Sequence, residues 1–351
     1  MNNTTVILFF LFPLWSWAQD GASFSVFQKK HHTLSRELEV DVFFPDNYSN
    51  DTPYPIIYFN DGEGLKENGY FPFEEIERAI KKGTLAPFIM VGIYAGSDRT
   101  SRYTPFDDPW ISANWGAYKP LADRYSTQLI RQLIPYIEQR YTVDTSRRAI
   151  VGMSLGGLHA AWIAMNNPRL FSFVGALSPS FWVNDYELIK HPPAPSLKGT
   201  RFYFDMGTSE WNYYLPLIRQ LEDRGLEYGE SLFYYEVPDA RHLTEDWKKR
   251  LLPIIRLFLS EKPSLTENWE VIIECIPSQS RPGHIFQRIN PIVYLEGNIP
   301  YSLAYEAEYT LLKGKGTIQE DGSIEVGEKV KLILKVRHRD KSRIINVKKC
   351  K

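Results

Sequence analysis

The chain has 351 residues, 43% hydrophobic and 14% aromatic, with 41 basic residues against 42 acidic and a net charge of −1. That length exceeds one ordinary core and predicts a large domain plus a smaller one, and that composition excludes a disordered chain. The balanced charge gives no electrostatic reason for a nucleic-acid or anionic-membrane partner.

The first predicted element lies outside the fold. Val6 to Trp15 form an apolar run, and the small residues Ser16 and Ala18 suit cleavage before Gln19. The run is too short to span a bilayer comfortably, carries no Lys or Arg before it, and is followed by no nearby cysteine for lipid attachment. Residues 1–18 are expected to be a signal peptide, the protein to be exported (periplasmic or secreted), and no membrane span to remain. An N-terminal anchor is the alternative.

Residues 33–45, "TLSRELEVDVFFP", alternate like one strand. After the turn-rich "NYSNDTPYP", the run "PIIYFNDGEG" predicts a buried strand ending in a Gly-rich loop. "FEEIERAIKKG" has helical spacing and a glycine stop. "PFIMVGIYAG" predicts another buried strand. Continuous apolar strands alternating with helices indicate parallel pairing with both faces covered. From Leu121 to Tyr141 apolar residues recur at intervals of four, one helical face, with Pro135 expected to kink the helix or open a backbone bond. "RAIVGM" is a strand and a helix follows Ser154. "FSFVGALSPS", "TRFYFDMG" and "SLFYYEVPDARH" predict strands; "LPLIRQLEDRG" and "DWKKRLLPIIRLFLSE" predict helices, the second containing Pro253.

The alternation then stops. The expected organisation is an α/β domain over 19–262, with a mostly parallel central sheet, and a linker at 263–268. A small all-β, Ig-like sandwich then covers 269–351, where short strands alternate with turns such as Asp321-Gly322. Cys275 falls in the first strand of this module and Cys350 in the last. In an oxidising compartment they either pair, stapling the module's two ends, or remain unrelated thiols. No His/Cys cluster has metal-ligand spacing, and no cofactor motif is present, so neither a metal nor a cofactor is expected.

Gly152-Met153-Ser154-Leu155-Gly156 is a G-x-S-x-G pattern between an apolar strand and a helix. A tight strand-to-helix turn lifts the serine hydroxyl out of the sheet, and the helix N-terminus behind it favours developing negative charge. Ser154 is the candidate nucleophile and the Leu155 amide the first oxyanion donor. The loop "YFNDGEG" would supply the second donor from Asp61 to Glu63, with Gly62 admitting substrate closely. In chain order Ser, acid, His, the base belongs after the last strand of the sheet, which selects His242. His159 reads as a packing residue and His191 as a weaker candidate base. Glu210 is the favoured acid, because it lies in the loop beyond Gly207, with Asp205 and Asp239 as alternates. The aromatic loops "DDPWISANW" and "EWNYYLP" would either line a stacking cleft or cap the core.

"YPIIYFNDGEG", "GSDRTSRYTPF", the block from "LIPYIEQRY" to "ALSPSFW", "GTSEWN" and "RHLTEDWKKRL" together resemble the "putative esterase" family of α/β-hydrolases from about Leu34 to Leu259. That family includes enterochelin esterases, esterase-D-like enzymes, feruloyl and acetyl-xylan esterases and mycolyltransferases. The resemblance implies Ser154, Glu210 and His242 as nucleophile, acid and base. It also implies that Arg99, Arg102, Tyr103 and Trp182 border the pocket. Here Ala240-Arg241 precede the histidine where family members often carry glycine, which leaves the substrate class open. The expected function is an exported serine carboxylic-ester hydrolase working through an acyl-enzyme, on a small or carbohydrate-linked ester or a siderophore-like lactone. Acyl transfer to an alcohol and a non-catalytic binding protein on the same fold are the competing readings.

Overall fold

The computed structural model describes residues 27–63, 65–66, 69–190, 196–210, 214–277, 285–320, 322–326 and 331–348. The expected signal peptide, His191 and Cys350 lie outside the described residues.

The stretch expected to be a single strand at 33–45 is the second half of a hairpin. β1 (Phe27–Ser35) and β2 (Leu38–Pro45) pair antiparallel around a turn at Arg36-Glu37. The alternation continues on either side of this short turn, so periodicity alone does not show it. Next come β3 (Tyr54–Asn60), α1 (Phe73–Lys81) and β4 (Ile89–Ile93), then the short helices α2 (Arg99–Tyr103) and α3 (Pro109–Trp115). The predicted Pro135 helix is α4 (Ala122–Gln128) and α5 (Ile134–Glu138) joined by a π-helical turn, Leu129–Leu133. Proline has no N–H for the carbonyl four residues back, and the wider turn just before it accommodates that loss.

The domain is completed by β5 (Val143–Met153), α6 (Leu155–Asn166), β6 (Phe173–Leu177), α7 (Val183–Lys190), β7 (Arg201–Gly207), α8 (Leu215–Glu222), β8 (Leu232–Val237) and α9 (Thr244–Leu259). The sheet order is β1-β2-β4-β3-β5-β6-β7-β8, with β3 to β8 all parallel. Every residue of β3, β4 and β6 is buried, as expected of strands covered on both faces. At the far side, β1 carries an exposed, Lys-bearing edge that discourages further pairing. The strand order reverses at β3/β5, so the crevice beyond their carboxyl ends is where a ligand site is expected. Helix α6 is buried on nearly all sides, and its start sits at that crevice.

A C-terminal β domain follows. β9 (Leu265–Pro277) begins within the stretch read as linker, because the Glu296 amide already bonds the Ser264 carbonyl there. β9, β10 (Ile285–Leu295), β11 (Ile299–Ser302), β13 (Gly316–Ile318) and β14 (Ser323–Val326) make one antiparallel sheet. β12 (Glu308–Lys313), β15 (Leu332–His338) and β16 (Lys341–Val347) make a second. Burial alternates along β15, with Leu332, Leu334 and Val336 facing inward. Cys275 of β9 is disulfide-bonded.

Candidate active site

Ser154 occupies the single position between β5 and α6, at φ 56° and ψ −123°. This backbone conformation is unfavourable for a non-glycine residue and needs surrounding structure to hold it. That structure is present: the Ser154 amide donates to the Leu177 carbonyl at 3.0 Å, and the Ser180 amide donates to the Ser154 carbonyl at 3.0 Å. The flanking glycines follow from contact. A Cβ on Gly152 would enter the Gly156 backbone, and one on Gly156 would lie 2.7 Å from Asp61 Oδ2.

Three loops at the carboxyl ends of β5, β7 and β8 bring Ser154, Glu210 and His242 together. His242 Nε2 lies 2.9 Å from Ser154 Oγ. His242 Nδ1 is hydrogen-bonded to Glu210 Oε2. The imidazole also packs edge-on against Trp247, with ring centroids 4.7 Å apart. Glu210 ends a 3-10 turn, Thr208–Glu210, directly after β7. Its other oxygen accepts the Gly207 amide at 2.6 Å and the Ser178 hydroxyl. Burial pushes this carboxyl upward, but the bonds from His242, Ser178 and Gly207 outweigh it and leave Glu210 below the ordinary carboxylate range.

The alternate acids sit elsewhere. Asp205 is fully buried behind Glu210, where it accepts Arg250 Nη1 at 2.7 Å, the Ser178 amide at 2.8 Å and the Tyr203 hydroxyl at 2.9 Å. Burial pushes its carboxyl up to about 6, so at neutral pH it is an anion facing Arg250. Arg250 Nη2 also reaches Ser178 Oγ at 3.1 Å. A buried polar chain therefore runs from Asp205 through Arg250 and Ser178 to Glu210. Asp239 contributes backbone only: its amide donates to Thr208 Oγ1 at 2.9 Å, which ties the base loop to the acid turn. Arg241 points toward Asp246 at the start of α9, 3.7 Å away, and is mostly exposed.

Two of the three amides expected to offer the second oxyanion donor have partners of their own. The Gly62 amide donates to the Ile93 carbonyl at 2.8 Å, and the Asp61 amide donates to the Tyr103 hydroxyl at 2.9 Å. Both N–H groups are therefore committed. Gly62 is required for a different reason, since a Cβ there would enter the Gly92 backbone. Leu155 stands at the first position of α6, where an amide has no partner within the helix.

Of the four residues expected to border the pocket, only Trp182 lines it. The cavity above Ser154 has a volume of about 640 Å³ and is lined by Trp110, Trp115, Trp182, Tyr186, Ser180 and His242, among others. Arg99 is held by both Asp61 oxygens, at 2.5 and 2.8 Å. Arg102 donates to the Glu37 and Ala95 carbonyls, at 3.0 Å each. Tyr103 is fully buried, stacked on His159. These three form a brace behind the Asp61 loop. His159 is the packing residue expected: it bonds Asn60 and Ser126, and burial pushes its pKa down to about 3.

Trp110, Trp115 and Trp182 meet edge to face, with centroids 5.6 to 6.0 Å apart. Trp110 and Trp115 are 54% and 51% exposed, which is large for this residue type and fits a ligand-facing surface. Two devices hold this wall. Asn184, Asp185 and Tyr186 at the start of α7 are all left-handed, with φ of 50°, 52° and 62°. Buried Asp108 caps α3 by accepting the Ile111 amide at 2.8 Å and also accepts the Asn184 amide at 2.6 Å. Sequence reasoning missed Asp108 and Arg250. Arg250 left one signal, a lone cation on the otherwise apolar stripe Trp247, Leu251, Ile254, Phe258.

The chain is 26% identical over 194 residues to the uncharacterized protein YbbA of Bacillus subtilis, covering 54% of this chain and 76% of that one. Among solved structures, the BES protein from Bacillus cereus superposes with a TM-score of 0.53 at 20% identity, over 74% of this chain and all of the other. A ferulic acid esterase superposes with a TM-score of 0.52 at 20% identity, over 66% of this chain and 98% of the other. These two likenesses show a shared α/β-hydrolase fold. Residues 31–258, more than half of the chain, match the model of the family described as "Putative esterase"; the protein belongs to that family and is a carboxylic-ester hydrolase.

Proposed function

We propose that this protein is an exported serine esterase acting through an acyl-enzyme, on esters that present a flat ring to the tryptophan wall. The observation that carries the catalytic part is the hydrogen-bonded series Ser154–His242–Glu210 at a strained turn beneath the cavity. His242 Nε2 takes the Ser154 proton as Oγ attacks the ester carbonyl carbon. Glu210 fixes the imidazole with Nδ1–H toward itself and stabilises the imidazolium. The Leu155 amide and the α6 N-terminus face the developing oxyanion. Collapse of the tetrahedral intermediate breaks the C–O bond, and the leaving alcohol takes the proton from Nε2. Water, deprotonated by the same nitrogen, then attacks the acyl carbonyl; the bond to Ser154 Oγ breaks, Oγ takes back the proton from Nε2, and the acid leaves.

Exposed, mutually braced indole rings support a planar aromatic ring, or the apolar face of a sugar, next to the reacting carbonyl. A ferulic acid esterase sharing the fold agrees with that class. The apolar run Val6–Trp15 supports export. Among the described residues no helix is long and apolar enough to cross a membrane.

The test is an ester panel (methyl ferulate, acetylated and feruloylated xylo-oligosaccharides, a catecholate trilactone) with fluorophosphonate labelling. Wild type should label and hydrolyse, and Ser154→Ala should do neither; full activity in that variant would sink the assignment. N-terminal sequencing of protein from the medium or periplasm should begin at Gln19.

A further inference from the structure

Strand β8 is the last of the eight-stranded sheet, so its outer edge would leave backbone groups open. The C-terminal domain covers that edge; it bonds the helices around it through Arg219–Glu320, Tyr305–Glu222 and Arg256–Gly297, and bonds the strand at Glu236. The Glu236 amide donates to Ser302 Oγ at 3.0 Å. Its carbonyl accepts Asn290 Nδ2 at 2.9 Å. Its carboxylate accepts Arg288 Nε at 2.7 Å, with each side chain only 1% exposed. Ser302 Oγ donates onward to Asn290 Oδ1 at 2.8 Å, and the Tyr228 hydroxyl donates to the Ser302 carbonyl at 2.6 Å. Side chains of β10 and β11 thus act as a ninth strand at a single position. Glu274, paired with Arg288 in the β9/β10 register, is pushed up to about 8, chiefly by burial.

The position has a mechanistic meaning. Glu236 precedes His242 by six residues, and β8 runs straight into the base loop. That loop is stitched to the acid turn by Asp239–Thr208 and by the Ser209 amide on the Ala240 carbonyl at 3.1 Å. β9 itself packs against the 208–210 turn. The domain therefore holds the strand behind the base and touches the turn bearing the acid.

We infer that the C-terminal domain is a positioning element for the catalytic base, acting through Arg288, Asn290 and Ser302 on Glu236. This rests on the esterase reading of Ser154, His242 and Glu210. Arg288→Met alone would strand a buried carboxylate. The informative variant is therefore the double Glu236→Gln/Arg288→Met in the full chain, with Ser302→Ala as the mild companion that keeps the charges. The expected result for the double variant is a cooperative melt, kcat on p-nitrophenyl acetate lowered about ten- to a hundredfold, KM nearly unchanged, and faster amide hydrogen exchange confined to 238–243. Ser302→Ala should show the same pattern, weaker, and Glu236→Asp should recover part of the rate that Glu236→Gln loses. A double variant that folds with wild-type kcat and wild-type exchange at 238–243 overturns the inference. If the double variant does not fold, Ser302→Ala with wild-type kcat and exchange overturns it equally. A wild type inert to fluorophosphonate would overturn the esterase reading instead, while the exchange comparison would still decide whether the domain holds the loop.

Discussion

The floor and the wall of the same cavity are built on opposite plans. In the floor, Glu210, Ser178, Asp205 and Arg250 each hold more than one hydrogen bond, and the layer behind the acid is buried. In the wall, Trp110 and Trp115 are half exposed on a seven-residue helix, and Trp182 just precedes a left-handed turn that the buried carboxylate of Asp108 ties to that helix. A fully bonded floor fixes proton-transfer geometry, and a lightly anchored wall sets which ester is held. Rate and choice of substrate should therefore be separable by mutation.

The largest effect should come from the floor. Glu210→Gln keeps the shape but removes the charge facing the imidazole, and should lower kcat by about 10³–10⁴-fold with little change in KM. Steady-state kinetics with methyl ferulate checks this; a loss confined to KM would place Glu210 in binding. Next, Arg250→Met leaves the buried Asp205 carboxyl without its cation and should remove about 3–5 kcal/mol of stability in urea melts. Adding Asp205→Asn should restore most of it, and two single losses that simply add would mean the pair is not coupled.

Breaking the wall should shift selectivity. Trp182→Ala removes the ring that meets both other indoles and forfeits about 1–1.5 kcal/mol of ring contact. The ratio of kcat/KM for methyl ferulate over methyl acetate should fall about tenfold; an unchanged ratio would move ring recognition elsewhere. The smallest effect concerns pH. Glu210 is held below its ordinary range, so its contribution to stability is present above that range and is lost as pH falls through the lowered value. Ser178→Ala removes one of the bonds that lower it. The acid-unfolding midpoint, followed by circular dichroism, should then move to higher pH, and a shift to lower pH would contradict the role given to Ser178.

The same contrast explains what could be read from sequence. Gly152, Ser154 and Gly156 are local, so the turn they make is written in five residues. His242 and Glu210 are legible because each follows a strand whose apolar run is unmistakable. The brace behind the site was not legible. Arg99, Arg102 and Tyr103 have the residue types of a binding loop, yet their partners, Asp61, Ala95 and His159, are chosen by how α2 lies over the sheet. The Asp61 and Gly62 amides were likewise assigned to substrate because their distant acceptors, Tyr103 and Ile93, leave no trace in the loop itself. In "NDY" only Asn and Asp hint at the left-handed conformation that Tyr186 also adopts.

That left-handed stretch makes the wall a natural target for engineering heat resistance. A residue held in this region costs about 1–3 kcal/mol, and glycine removes most of that penalty. Asp185→Gly keeps the rings, and loses a surface pair with Lys190 and a carboxylate lining the cavity. Its melting temperature should rise by about 2–4 °C for a gain near 1 kcal/mol, measured by calorimetry. If selectivity for ring-bearing esters declines in the same variant, the enzyme's thermal ceiling and its discrimination are set by the same three residues.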